Sequence, residues 1–410
     1  MKRYVIIGNG IAAANCIEGI RSKDPEGKIT VVSEEKHPVY CRPLISYYLE
    51  DSTDLERIKY RDDGFYDRNG CEVLYGRKAV RIIPEDKKIE LLDGTLLPYD
   101  ALCVAAGSHP FVPNLQGLKI VKKKFSFTTL DDALALEKAI DEKSRVLIVG
   151  AGMIGLKCAE CLADRVAEVT VCDLADHILP TFLDFTCAAY MQRHMEDHGV
   201  KFALSDSVVS FEAKKAHMKS GAVLSFDVLV LAIGARANAS LVTDAGGAGG
   251  RGIAVDECMR TSIPDVWAAG DCVESPDVSC GARKLLSNLP NAAMQGYTAG
   301  VNMAGGSAVF DKAIMMNSIS FFGLHSMTAG TYMGELFEEK TESSIKRLYT
   351  EGDLLKGFVL IGTDDRAGIY TSMIRNRTPL SSVDFEMMKK AATTAAFSHA
   401  AREKMFGGMV

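Results

Sequence analysis

Two glycine-rich segments of nearly the same build constrain the fold of this chain most strongly. VIIGNGIAAANCIE begins at Val5, and VLIVGAGMIGLKCAE begins at Val146. In each, a short apolar run typical of a buried strand leads through a glycine turn into a helical stretch. A single G-x-G-x-x-G is a weak signal, but strand, turn, helix, second strand and terminal acid follow in order both times. The sequence therefore predicts two dinucleotide-binding α/β units in one chain.

The first segment contains the residue types that a pyrophosphate site requires. We expect Gly8 to permit the tight turn and Gly10 to let backbone N–H groups approach the phosphates. Ala13 stands at the third glycine's position, where a small residue keeps the helix close to the strand. The next strand, KITVVS, ends in Glu34 and Glu35. One of these two carboxylates is expected on a ribose, and the helix N-terminus is expected to face the phosphates.

The second segment repeats the pattern more strictly. Gly150 and Gly152 form the turn, Gly155 is the third glycine, and the strand EVTVCD ends in Asp173. Asp173 is expected on a nucleotide ribose, and the alternative is a turn residue that only ends the strand. Two such sites have a chemical logic, because one can hold a flavin by its ADP half while the other presents a nicotinamide for hydride transfer.

Composition excludes several other classes of protein. At 410 residues the chain is expected to form two or three domains. A formal net charge of −6 and the absence of a Lys/Arg-rich block argue against a nucleic-acid partner. No apolar run reaches the roughly 18 residues of a membrane span, and MKRYVIIGNG is too short for a secretory signal. Eleven cysteines without metal-ligand spacing indicate a reducing compartment, so we expect a cytoplasmic protein without a metal site.

Four further motifs extend the pattern. They are EEKHPVYCRPLISYYL, LLPYDALCVAAGSHPFVPNLQG, LVLAIGARAN and TSIPDVWAAGDC. Together with the two turns they resemble the FAD-dependent pyridine-nucleotide-disulfide oxidoreductase family, in particular its rubredoxin and ferredoxin reductases, NADH oxidases and nitrite-reductase flavin domains. The resemblance covers about the whole chain. It implies an α/β fold with two Rossmann-like domains and a C-terminal α+β domain, namely FAD-binding at 1–112, NAD-binding at 113–236, FAD-binding again at 237–308, and an interface domain at 309–410.

The resemblance also implies roles for individual residues. The FAD would be held by Gly8, Gly10, Ala13, Glu34 or Glu35, Arg42, Pro43, the backbone near Val80, Ala106, Gly107, Gly270 and Asp271. The nicotinamide dinucleotide would be held by Gly150, Gly152, Ile154 and Asp173, with Gly234 following the next strand.

Three residues depart from the family's pattern. Lys157 stands where a glutamate is common, Tyr47 where a flavin-side lysine is common, and Pro43 where some branches carry a redox cysteine. Lys157 is open to two interpretations: a helix-surface cation paired with Glu160, or a catalytic charge near the nicotinamide–flavin contact. Cys41 lies two residues from the redox position, and we expect it to be neutral rather than a redox thiol.

Other chemistry-bearing residues are expected to be structural. Cys158 and Cys161 fall in mid-helix and are predicted to pack in the core. His325 is predicted to be a core or interface histidine. SSVDFEMMKKAATTAAFSHAAREKM is predicted to be a helix with a capping box formed by Ser381 and Asp384. Its apolar face would serve core or subunit packing, and docking of an electron-transfer protein is the alternative.

These observations together predict an FAD-dependent NADH:acceptor oxidoreductase. Its acceptor would be a small electron-transfer protein of the iron–sulfur or rubredoxin type, with NADH preferred to NADPH, and a homodimer stays open. Two alternatives within enzymes are an NADH oxidase and a disulfide reductase that uses Cys41. An alternative of another class is a redox-sensing or structural subunit that binds both cofactors.

Overall fold

The computed structural model describes residues 1–363 and 365–406, and its strands are numbered along the chain. In order they are β1 (Arg3–Ile7), β2 (Lys28–Ser33), β3 (Cys71–Tyr75), β4 (Ala79–Ile83), β5 (Lys88–Leu91), β6 (Leu96–Pro98), β7 (Ala101–Val104), β8 (Ser108–Pro110), β9 (Lys124–Phe125), β10 (Arg145–Val149), β11 (Glu168–Cys172), β12 (Lys201–Ala203), β13 (Val208–Glu212), β14 (Lys215–Met218), β15 (Val223–Ser225), β16 (Val228–Leu231), β17 (Ala235–Ala237), β18 (Ile253–Ala254), β19 (Val266–Ala268), β20 (Val273–Pro276), β21 (Arg283–Leu285), β22 (Met316–Phe321), β23 (Leu324–Gly330), β24 (Glu335–Lys340), β25 (Ile345–Glu351) and β26 (Leu354–Ile361).

The helices connect and cover these strands. They are α1 (Ile11–Arg21), α2 (Ile45–Leu49), α3 (Phe65–Arg68), α4 (Leu130–Glu137), α5 (Met153–Ala163), α6 (Phe185–Asp197), α7 (Ser240–Thr243), α8 (Leu289–Met303), α9 (Ala367–Arg375), α10 (Phe385–Lys390) and α11 (His399–Phe406). Short 3-10 turns lie at Arg42–Leu44, Leu118–Ile120, Leu380–Ser382 and Thr394–Ala396. Within the described part of the chain, every helix is too short or too polar to cross a membrane.

The first glycine turn belongs to a parallel five-stranded sheet of order β19-β7-β1-β2-β3. The apolar run RYVII forms its central strand β1, which is buried on both faces as parallel strands usually are. Ile7 is level with Val32 on one side and Val104 on the other, so these strands end at one edge. Strand β19 comes from far later in the chain, and the sheet is therefore built from two separated segments.

The second glycine turn belongs to another parallel sheet, of order β12-β11-β10-β16-β9. Its central strand β10 ends at Val149, level with Cys172 and Leu231. The chain enters this unit along β8 and leaves it along β17, and these two short strands pair antiparallel. The second sheet is thus inserted between the two segments that build the first.

Close helix packing joins the two segments of the first unit. In α8, Gly296 and Gly300 lie one turn apart against α1. A Cβ built on Gly296 would lie 2.1 Å from the carbonyl oxygen of Ala12, and one on Gly300 would lie 2.1 Å from that of Cys16. No side chain fits in this space, so both positions require glycine if the helices are to touch. The helix that follows the first glycine turn is therefore held by a helix from the later segment.

The C-terminal unit is an antiparallel sheet of order β22-β23-β26-β25-β24 with α9 packed on it. Its core includes Leu348, Phe358, Tyr370 and Met388. The architecture as a whole confirms an α/β fold with two Rossmann-like domains and a C-terminal α+β domain. The exact boundaries at 112, 236 and 308 stay predictions.

The long C-terminal helix and its capping box are wrong predictions. Asp384 is the N-cap of α10, but Ser381 Oγ donates to Asp353 Oδ2 at 2.6 Å instead of capping. The helix ends at Lys390 because its carbonyl oxygen accepts from the buried Lys346 Nζ at 3.1 Å, and Ala391 is extended. Met388, Ala392 and Ala396 are buried within this domain, which leaves them no role in docking a partner.

Candidate active site

At one glycine of the first turn a side chain would clash with the protein backbone, whereas at the other it would enter open space. Gly8 has φ +105°, and a Cβ there would lie 2.1 Å from the carbonyl oxygen of Ala105. Gly10 is the N-cap of α1 with an ordinary φ of −96°, and a Cβ there would meet nothing within 4 Å. Ala13 is fully buried, which brings α1 close to the sheet. The turn thus presents the start of α1 to an open space at the sheet edge, as a phosphate site requires.

A carboxylate without a protein partner lies near the same edge. The N–H of Gly270, which has φ +84°, donates to Gln295 Oε1 at 2.9 Å. The half-buried Asp271 accepts no hydrogen bond from any residue that the structure describes. Burial raises the pKa of Asp271, and the positive charge of Arg42 opposes that rise. A half-buried acceptor without a donor fits the hydroxyl groups of a flavin's ribityl chain.

The returning segment fixes the loop after β7. Asn238 Nδ2 donates to the carbonyl oxygen of Ala106 at 2.7 Å, and its backbone N–H donates to that of Gly107 at 2.9 Å. Gly107 has φ +63°, and a Cβ built there would meet nothing within 4 Å. Sequence reasoning missed Asn238, although it follows LVLAIGARA directly. Val80 lies on β4 with an exposed side chain, and the adenine contact of its backbone stays a prediction.

The two glutamates after β2 differ in their surroundings. Glu34 pairs with Lys78 at 2.9 Å on the surface. Glu35 Oε2 accepts from the Tyr40 hydroxyl at 2.6 Å, and its other oxygen pairs with Arg42. Burial alone would lower the pKa of Arg42, but Tyr40 and Glu35 raise it. Arg42 is therefore a fixed cation at the start of the loop that also carries Pro43.

The second glycine turn repeats the geometry of the first. Gly150 has φ +116°, and a Cβ there would lie 2.3 Å from the carbonyl oxygen of Ala232. Gly152 is the N-cap of α5 with φ −83° and open space beyond its missing Cβ. A Cβ on Gly155 would lie 2.0 Å from the carbonyl oxygen of Gly150, so the helix packs directly on the turn. A second open space therefore lies at the N-terminus of α5.

The carboxylate of Asp173 stabilises the second glycine turn by hydrogen bonds. It accepts from the backbone N–H of Ala151 at 2.7 Å and of Ala175 at 2.8 Å. Each oxygen keeps further lone-pair capacity for a ligand hydroxyl. Ile154 is partly exposed at the start of α5, and Gly234 has φ +104° with open space around it. The structural and the ribose-binding interpretations of Asp173 are thus compatible.

The predicted pairing of Lys157 with Glu160 is confirmed, but the predicted position on the helix surface is wrong. The Lys157 side chain is only 16% exposed, because the end of β22 and helix α2 cover it. The ammonium group pairs with Glu160, as predicted, donates to the Ser320 carbonyl oxygen at 3.2 Å, and lies 4.8 Å from the Tyr47 ring centroid. Glu160 also accepts from the Phe322 N–H at 2.6 Å. Two departures from the family pattern, Lys157 and Tyr47, therefore touch each other.

Removing Lys157 alone should destabilise the protein, because it leaves the Glu160 carboxylate, 7% exposed, without its counter-charge. We expect Lys157→Met to lower the free energy of unfolding by about 3 kcal/mol. The double variant Lys157→Met/Glu160→Gln should recover most of this loss, since the amide still accepts from Phe322. Urea unfolding of the three proteins measures the difference. A double variant no more stable than Lys157→Met would contradict the pairing.

The cysteines lie in surroundings that do not favour thiolates. Burial raises the pKa of Cys41, which is half-buried. Cys158 and Cys161 are buried in α5, and burial raises the pKa of Cys158 well above its usual value. Both therefore pack in the core, as predicted. A core position for His325 is wrong, because it is exposed next to the Gly323 turn and forms a hydrogen bond with Ser318 Oγ at 2.8 Å, and an interface position stays a prediction.

Comparisons with known proteins agree with this arrangement. A model of the pyridine nucleotide-disulphide oxidoreductase family matches residues 2–296. The NADH-dependent phenylglyoxylate dehydrogenase subunit epsilon of Aromatoleum evansii is 32% identical over 394 residues, covering 92% of this chain and 93% of the relative. The NADH oxidase of Methanocaldococcus jannaschii is 32% identical over 333 residues, covering 78% of this chain and 74% of the relative.

The fold is also found in solved structures. One of them is the covalent complex of putidaredoxin reductase with putidaredoxin, which this chain matches with a TM-score of 0.87 at 22% identity, over 96% of each chain. The family match covers most of the chain, including both glycine turns. The chain therefore belongs to the pyridine nucleotide-disulphide oxidoreductase family and is an FAD-dependent NAD(P)H oxidoreductase.

Proposed function

We propose that the protein is an NADH:acceptor oxidoreductase that passes electrons to a small iron–sulfur or rubredoxin-type protein. The observation that carries this proposal is the pair of open glycine positions, Gly10 and Gly152, each at the N-terminus of a helix and at the edge of its own parallel sheet. When bound, FAD accepts hydride from NADH and can release the electrons singly. A cytoplasmic location and a homodimer stay predictions.

The residues of the chain would orient the two cofactors rather than react themselves. The start of α1 would bind the FAD pyrophosphate, and Asp271 would accept from the ribityl hydroxyls. Arg42, held by Glu35, would place a fixed positive charge beside the cofactor. The start of α5 would bind the pyrophosphate of the dinucleotide, with Asp173 on its ribose. Open space at the two turns and the unpartnered carboxylate of Asp271 support these roles.

Contact between the two units supports direct hydride transfer. Helix α2, which follows Arg42 and Pro43, packs against α5, which follows the second turn. The Tyr47 ring on α2 covers the Lys157 ammonium on α5. Because this contact joins the predicted flavin loop to the predicted nicotinamide helix, we propose Lys157 as a charge close to where the two rings meet.

The names of the two relatives point to two other uses of the flavin's electrons, transfer within a larger enzyme and reduction of oxygen. One relative is a subunit of an NADH-dependent dehydrogenase and matches nearly end to end, which favours a second candidate, the flavin subunit of a larger enzyme. The other is an NADH oxidase. Bleaching of the flavin by NADH without turnover on any acceptor would instead favour a sensing or structural subunit.

NADH should be preferred to NADPH. A 2′-phosphate beside Asp173 would bring like charges together, and no arginine follows in DLADHILP to neutralise it. We expect a discrimination of roughly 5- to 150-fold in kcat/KM, or about 1–3 kcal/mol. Asp173→Asn should lower the ratio of kcat/KM for NADH to that for NADPH. Asp164→Asn, at the exposed end of α5, should leave this ratio unchanged. Equal kcat/KM values for the two nucleotides would overturn this assignment.

Cys41→Ser should keep most of the NADH-dependent reduction of ferricyanide or of a one-electron protein acceptor. The raised pKa of Cys41 leaves little thiolate, and electron transfer to a docked protein needs no thiol. Steady-state turnover of wild type and variant with these acceptors and with oxygen is the test, and oxygen should be much slower. If the variant is still reduced by NADH but loses over about 90% of turnover, about 1.4 kcal/mol, the disulfide-reductase or oxidase alternative is correct.

A further inference from the structure

A cavity of about 430 Å³ lies between the later segment of the first unit and the C-terminal unit. None of the residues that line it belongs to either glycine turn. Strand β20, residues 255–259 and 310–312, and the end of α9 form its walls. None of its lining residues is among those that we assign to FAD or to the nicotinamide dinucleotide.

Four cationic side chains line this cavity: Arg283, Lys312, Arg375 and Arg377. None of them forms an ion pair within 4.0 Å with a carboxylate of residues 1–363 or 365–403. Neutral groups hold two of them. Arg283 donates to the carbonyl oxygen of Val255 at 2.6 Å, and Lys312 Nζ donates to Asn376 Oδ1 at 3.0 Å. The four cations thus have no carboxylate in direct contact among these residues.

Arg375 is the cation that most clearly needs a partner. Its Nε is buried and donates to no acceptor among the described residues. Its Nη2 reaches only the sulfur of Met316, at 3.5 Å, which is a weak acceptor. Burial lowers the pKa of Arg375, as expected for a cation without a counter-charge. A guanidinium in this state matches the two oxygens of a carboxylate or phosphate.

The acidic residues of the lining do not supply that partner. Asp256, Glu257 and Asp311 are exposed, as are the cations Arg283, Lys312 and Arg377. Asp256 accepts from the backbone N–H of Cys258 at 2.9 Å and of Arg260 at 2.8 Å, which ties its carboxylate to its own turn. Among the charged residues of the lining, only Arg375 is partly buried.

We propose that this cavity binds an organic oxyanion. Its carboxylate or phosphate group would lie on Arg375, and its apolar part would lie against Met259 and Phe310, which are both buried in the wall. This combination of a charged anchor and an apolar wall is typical of small-molecule sites. The site goes beyond the proposed reaction, because none of its lining residues is assigned to either cofactor.

Isothermal titration of the FAD-loaded protein tests the proposal, with NAD⁺ present to fill the second turn. The probes are inorganic phosphate, phenyl phosphate and benzoate. We expect saturable binding of phenyl phosphate or benzoate, with phenyl phosphate tighter than inorganic phosphate. Whichever of phenyl phosphate and benzoate binds more tightly shows whether the site prefers a phosphate or a carboxylate. Arg375→Met should weaken binding about tenfold or more. Arg193→Met, which removes the same charge from the exposed face of α6, should leave it unchanged.

Thermal unfolding without anions supplies a second readout. Arg375→Met should unfold at the same temperature as wild type or higher, because it removes a partly buried cation whose buried Nε has no acceptor. A lower midpoint would show that Arg375 is already satisfied within the fold and would overturn the proposal. Absence of saturable binding, or equal binding by wild type and Arg375→Met, would overturn it as well.

Discussion

Gly10→Val should yield a folded protein that purifies without flavin. Its φ of −96° suits valine, and the added side chain meets no protein atom within 4 Å of its Cβ. The space it enters is the space that a pyrophosphate must occupy at the start of α1. We expect FAD affinity to fall at least about 100-fold, or about 2.7 kcal/mol. Flavin content after purification and equilibrium binding of added FAD measure the effect.

Gly8→Val is the matched control, two residues away. At φ +105° a β-branched residue is strained, and its Cβ would lie 2.1 Å from a backbone oxygen. We expect this variant to lose at least about 3 kcal/mol of stability or to fail to fold. The pair separates a position required by the ligand from one required by the fold. A folded Gly10→Val protein with full flavin would refute the assignment of the first turn.

Gly152→Val should remain yellow but lose its response to NADH. Gly152 has φ −83° and open space beyond it. It follows the central strand of the second parallel sheet, whereas the flavin turn follows that of the first. A valine there should exclude the dinucleotide from the start of α5 while leaving the first site intact. We expect kcat/KM for NADH to fall at least about 100-fold, or about 2.7 kcal/mol, with FAD content unchanged.

Reduction by dithionite is the internal control for this variant, because it needs no nucleotide site. Gly152→Val should be bleached by dithionite as completely as wild type and far more slowly by NADH. Loss of flavin from Gly152→Val, or unchanged reduction by NADH, would contradict two independent sites. Together with Gly10→Val, the variant tests each turn without disturbing the other.

The parts of the fold that depend on local sequence were predictable. Strand β10 contains the apolar run from Val146 to Val149 that the second glycine segment predicts as a strand, and it ends where the glycine turn begins. Gly8 and Gly150 were predictable for the same reason, because the tight turn from strand to helix requires the positive φ that both adopt. The inserted arrangement of the second unit came from the resemblance, not from periodicity.

Long-range contacts were not predictable. Periodicity places Lys157 on the surface of its helix, but α2, more than 100 positions earlier, and β22, some 160 positions later, cover it. The C-terminal stretch has good helical periodicity, but Lys346 and Asp365 take the backbone groups around Ala391 and end the helix there. The side-chain amides of Asn238 and Gln295 hydrogen-bond the backbone of Ala106 and Gly270, and neither amide belongs to a sequence motif. In each case tertiary hydrogen bonds decided the outcome.

Anaerobic titration of the FAD-loaded protein with NADH tests the central claim most directly. If hydride passes from the second site to the first and no protein thiol takes part, a single equivalent of NADH per bound FAD should bleach the flavin absorbance completely. Cys41→Ser should give the same end point. Failure of NADH to bleach the flavin, or a second equivalent consumed by wild type and not by Cys41→Ser, would contradict the account.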